Sequence, residues 1–146
     1  MSKVFVLFFE PNVKFTLNGN VESCTTSNLA TSWCGYHGYA QTAGSNRYIV
    51  LPYLGNGGGA KGYCYQSCHF SNEMANYANV FTHELADTVT DPDLKNYRAS
   101  NGNEVADICT TQYNLLTVPS PPGNCAGTTA AYYTQTLWSN SACACV

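Results

Sequence analysis

Charge is what this chain of 146 residues has least of: six Lys+Arg and nine Asp+Glu, 10% of the sequence, against roughly 25% in an ordinary soluble domain. There is no Lys/Arg cluster, so no nucleic-acid backbone is expected as a partner. No apolar run approaches the roughly 20 residues that cross a bilayer, so no membrane span is expected. No Asn-x-Ser/Thr triplet occurs among fifteen asparagines, so no N-linked glycan is expected. P-loop, dinucleotide fingerprint and Gly-x-Ser-x-Gly elbow are all missing, which removes the commonest nucleotide-binding and α/β-hydrolase readings.

What remains is apolar and rich in cysteine. The chain is 45% hydrophobic and 13% aromatic, which argues against disorder. Its length fits one domain over residues 1–146. Eight cysteines with few charges and many Asn, Ser, Gly and Tyr read as an extracellular, disulfide-bearing surface. The competing reading is thiolate zinc through Cys64/Cys68 and Cys143/Cys145; neither pair has the spacing of a zinc knuckle, and disulfides are favoured. All eight are taken as disulfide cysteines: Cys24 with Cys34, Cys64 with Cys68, and Cys109 with Cys125, Cys143 or Cys145. The six-residue apolar run after Lys3 is too short for a secretory leader.

Residues 3–9 read as a buried strand and 47–54 as a second, with Pro52 at an edge or bend. Residues 72–88 hold neither Gly nor Pro. Met74, Tyr77, Ala78, Phe81, Leu85 and Val89 recur there at spacings of 3 and 4, which predicts a helix stopping near Asp91-Pro92. A shorter helix over 103–111 would turn Val105, Ile108 and Cys109 inward, and an aromatic stretch over 132–138 suggests a strand. The fold expected is α+β: a small, mostly antiparallel sheet packed on a central helix, covered by disulfide-pinned loops.

The long helix carries the candidate chemistry. His83 and Asp87 stand at i and i+4, on one face. With Glu84 between them this is the arrangement of the His-Glu-x-x-His helix, Asp replacing the second His. There, two side chains hold a metal and the Glu handles the proton of a bound water. One imidazole among carboxylates suits zinc or another transition divalent metal better than calcium. Glu104 and Asp107, at i and i+3, offer further ligands. Six of the nine acids (Glu84, Asp87, Asp91, Asp93, Glu104, Asp107) fall within 24 residues. The site expected is therefore His83, Asp87, Glu104 and Asp107 as metal ligands and Glu84 as catalytic base. The plain alternative is a solvated helix face. His37 and His69, beside Cys34 and Cys68, read as structural.

In order, the motifs are an apolar first run, Cys24…Ser32-Trp-Cys34-Gly-Tyr-His-Gly38, Tyr48-Ile-Val…Gly55, Cys64-Tyr-Gln-Ser-Cys68, Thr88-Val-Thr-Asp-Pro92, Glu104-Val-Ala-Asp-Ile-Cys109 and Leu137-Trp-Ser-Asn140 followed by cysteine. Together they resemble the EXORDIUM / phosphate-induced protein family over roughly residues 3–140. The resemblance implies a secreted protein of the cell wall or matrix, linked in plants to cell expansion, usually with a further segment before the first strand. Many plant members lack the His-Glu pair that His83 and Glu84 retain. The helix also resembles that of zincin metallopeptidases with a distant glutamate ligand, although Asp87 departs from their second His. Three functions follow as expectations: a matrix- or wall-associated protein with a metal site, a zinc-dependent peptidase, and a structural subunit that pairs with copies of itself in an extracellular fibre.

Overall fold

The computed structural model describes residues 3–11, 13, 15–17, 21–23, 33–40, 46–55, 73–110, 112–119 and 129–146. The proposed disulfide cysteines Cys24, Cys64, Cys68 and Cys125 lie outside them, as does His69. In chain order the elements are β1 (Val4–Phe8), β2 (Thr16–Leu17), β3 (Val21–Glu22), β4 (Tyr36–Ala40), β5 (Asn46–Leu51), α1 (Glu73–Thr90), a 3-10 turn (Asp107–Cys109), β6 (Tyr113–Pro119), β7 (Thr129–Gln135), β8 (Trp138–Ser139) and β9 (Ala144–Cys145). The architecture is α+β with small sheets, antiparallel except where β1 joins β5.

The main sheet has the order β1-β5-β4, so β1 and β4 are its edges. β5 ends before Pro52, whose ring cannot donate to a ladder. In the β4–β5 register His37 stands opposite Ile49. Side chains alternate along a strand, so His37 shares the face of Ile49 and Leu51. That face packs on α1: Ile49, Leu51, Leu54 and Val80 form the buried core, with Val6, Cys34, Tyr77, Phe81 and Leu85 against it. Beyond β5, Leu54 accepts from Asn76 Nδ2 at 3.3 Å and donates to the Tyr77 hydroxyl at 3.1 Å, tying strand end to helix start. On α1's other flank lies the β6–β7 hairpin, through β7.

Four expectations need correction. The first strand is not buried: as a sheet edge it leaves Val4, Phe5, Leu7 and Phe8 exposed. The helix expected over 103–111 is not found: among its described residues, 103–110, there is a single 3-10 turn. Gly102 sits at φ 91°, and the Ala106 N–H, which a helix would spend on the carbonyl four residues back, instead donates to Asp87 Oδ1 at 2.9 Å. Ile108 is consequently exposed, while Cys109 is buried. Cys143 is no disulfide partner: it is a free, exposed thiol, in a turn where its φ is 49°. Cys109 pairs with Cys145, stapling the 3-10 turn to β9. Cys34 is disulfide-bonded. No helix among the described residues is long and apolar enough to cross a membrane.

Candidate metal centre

Four segments meet behind α1. The helix contributes His83, Glu84, Asp87 and, just past its end, Asp91. The segment 98–107 doubles back with Arg98, Glu104 and Asp107. β4 contributes His37, and β7 contributes Gln135. Segment 98–107 is anchored by Asp91, whose buried carboxylate accepts from Lys95 N, Asn96 N and Arg98 Nε at 2.5–2.6 Å.

His83, Asp87 and Asp107 converge, each offering one ligand atom within 4.8 Å of the others. His83 Nε2 lies 3.4 Å from Asp87 Oδ2 and 3.4 Å from Asp107 Oδ1. A charge-assisted hydrogen bond is shorter, about 2.7–2.9 Å. Ligands about 2.0–2.1 Å from a four-coordinate zinc sit about 3.3 Å apart, so the spacing matches neighbouring vertices of a metal polyhedron. Asp87 is 1% exposed, and its Oδ2 is buried with no hydrogen-bond partner. An anionic oxygen left that way costs several kcal/mol unless a cation compensates it. The donor set, one imidazole and two carboxylates, therefore fits a divalent cation.

Glu104 is not in that group. Its Oε1 takes a hydrogen bond from Arg98 Nη2 at 2.7 Å and lies 3.6 Å from His37 Nε2. The divergence of Glu104 and Asp107 follows from the missing helix: Asp107 Oδ2 turns back to accept from the Glu104 N–H at 3.1 Å. Glu84 is likewise turned elsewhere, its Oε2 3.5 Å from His37 Nδ1. The buried His37 ring thus lies between the two glutamates, its Nε2 without a hydrogen bond. Reading His37 as merely structural missed this. A signal existed in Gly35-Tyr-His-Gly38, two glycines that let β4 approach closely: a Cβ at Gly35 would come within 2.7 Å of Val80 Cγ1 and 3.0 Å of Glu84 Oε1. Gln135 and Arg98 were missed with no comparable signal.

The electrostatics are those of an acid-rich pocket. Five carboxylates face one guanidinium and two imidazoles. Burial works against a charge on His83, yet its contact with Asp107 and the charges of Glu84 and Asp87 push its pKa to about 9. Burial raises Asp87 to about 6 against the opposing Ala106 N–H and His83. Burial, then contact with the Asp91 carboxyl, raises Glu104 to about 7. His37 is raised despite its burial, by Glu84 and Glu104. Asp107 is lowered, first by its contact with His83. Asp91 is lowered too: its burial is outweighed by the Asn96 N–H and Arg98. Without a metal the pocket collects protons, the other cations at hand.

No family model, no curated protein and no solved structure matches this chain. The chemistry of the pocket has to be read from its own atoms.

Proposed function

We propose that this chain is a secreted, matrix- or wall-associated protein that holds a divalent metal, zinc or a similar transition ion, through His83, Asp87 and Asp107. The observation that carries the reading is the buried Asp87 Oδ2, which has no hydrogen bond and stands 3.4 Å from His83 Nε2. The extracellular assignment rests on the cysteine-rich, charge-poor composition and the ordered motifs that resemble the EXORDIUM family. We read the scaffold as zincin-like, a ligand-bearing helix beneath a small sheet. Peptidase activity is the weaker variant. The Asp107 side chain is 41% exposed, which favours a solvent-facing coordination position there. The intended base Glu84, however, is engaged with His37.

Equilibrium dialysis against zinc followed by elemental analysis tests the metal reading. One equivalent per chain, lost in His83→Ala, is the expected result. Substoichiometric metal that is unchanged in the variant would overturn it.

A second reading, a fibre or assembly subunit, has one observation in its favour. Among the described residues β1 is a sheet edge with four exposed apolar side chains, and it is flanked by Lys3 and Glu10. Antiparallel pairing of two copies would set unlike charges near one another at each end. Sedimentation of the chain and of Val6→Pro discriminates: association in the first and not the second supports it, and a monomer at high concentration removes it.

A further inference from the structure

We propose that Gln135, working with the two backbone groups of Ala106, is a positioning residue that presents the Nε2 face of His83 to the cation; the inference rests on the metal reading above. Gln135 is 7% exposed and stands at the end of β7, across from α1. Its Nε2 donates to the Ala106 carbonyl at 2.5 Å. A carboxamide has one donor end and one acceptor end. Committing the donor to Ala106 leaves Oε1 facing His83, 2.9 Å from Nδ1. Oε1 only accepts, so Nδ1 carries the proton. In the neutral ring the lone pair is then on Nε2, the nitrogen that faces Asp87 and Asp107.

Ala106 acts on the second ligand as well. Its N–H donates to Asp87 Oδ1, which leaves Oδ2 as the free oxygen turned toward His83. Asp107 follows it directly in the chain. One residue with a methyl side chain therefore fixes two ligands through its backbone and sets the start of the third. The Gln135 end is fixed in turn, because its own N–H donates to Thr82 Oγ1 at 3.3 Å, one residue before His83. Such outer partners hold the ring orientation and tautomer of a metal-binding histidine.

The test is zinc titration by calorimetry with long-range nitrogen–proton NMR of the His83 ring, on the wild-type chain, Gln135→Met and Gln135→Glu. In the zinc-loaded wild type the ring should carry its proton on Nδ1 and bind through Nε2. Gln135→Met keeps the length and loses the acceptor; its zinc affinity should fall about 10–100-fold, with the metal-free ring, once neutral above about pH 9, divided between tautomers. Gln135→Glu restores an acceptor for Nδ1 but not the donor to the Ala106 carbonyl, so it should recover the single tautomer and only part of the lost affinity. Zinc bound through Nδ1 in the wild type, or equally tight binding by Gln135→Met, would overturn the positioning role and leave the metal site standing. A wild-type chain that takes no zinc would overturn both.

Discussion

α1 leaves both ends of its apolar stripe exposed while it buries charged and amide side chains on its other side. On the apolar stripe Met74 is 63% exposed and Val89 70%, whereas on the other side Asn76 is 0%, Asp87 1% and Glu84 5% exposed. The buried polar groups are in part satisfied in ordinary ways. Asn76 caps the Leu54 carbonyl, and the Thr88 hydroxyl bonds back to Glu84 O. The carboxylates are different, because burial raises the cost of their charge and one oxygen is left alone. A helix that needed only a core would carry Tyr77, Phe81 and Leu85 against the sheet, as α1 does, and keep its acids in water. Burying the acids instead spends stability on a local arrangement, as functional sites do.

That contrast can be broken most sharply at Asp87. Asp87→Asn keeps the shape and an oxygen for the Ala106 N–H but removes the buried charge. It should abolish zinc binding while stabilising the metal-free chain at pH 8 by on the order of 1–3 kcal/mol. Calorimetry for the first effect and thermal melts for the second are the measurements. Loss of stability without loss of zinc would reverse the account.

The same contrast has a pH signature. His83, Asp87 and Glu104 all titrate higher in the fold, at about 9, 6 and 7. Groups raised in the folded state contribute stability that is complete below their unfolded values and is lost as pH rises through the folded ones. Asp91 and Asp107 are lowered and contribute in the other direction, their share vanishing in strong acid. Metal-free protein should therefore be most stable near pH 4–5 and lose stability progressively toward about pH 9. Saturating zinc should reverse the trend, because metal competes with protons for the same atoms. Denaturant melts across that range, with and without zinc, check it.

Packing gives the smaller effects. Gly35→Ala drives a methyl into Val80 and Glu84 and should cost about 1–3 kcal/mol. Val89→Ser, on the exposed stripe, should stay within about 0.5 kcal/mol of wild type. Urea midpoints for the pair measure how unequal the two faces are.

Local signals carried part of this molecule in the sequence. The Gly- and Pro-free run and the Asp91-Pro92 stop bracket a helix found over Glu73–Thr90. The apolar run before Pro52 gave β5, and the i, i+4 spacing of His83 and Asp87 put both in one cluster. What was illegible is non-local. β4 (Tyr-His-Gly-Tyr-Ala) contains a glycine and no β-branched residue; pairing with β5 makes it a strand. β6 drew no strand expectation from its sequence and is held by β7. The run 103–111 has helical composition, but Asp87, Gln135 and Asp107 claim its backbone groups first. That competition is why Glu104 and Asp107, which would have shared a helical face, part company.

The bond between Cys109 and Cys145 has a practical consequence at the bench. Cys109 closes the same short turn that Asp107 opens, so the cystine is a covalent strut beneath one side of the cation pocket. Dithiothreitol, a routine additive, would cut that strut and compete for zinc with its own thiols. Material prepared under such reductants would under-report metal content twice over, and oxidised, chelator-free protein is the form in which the pocket should be weighed.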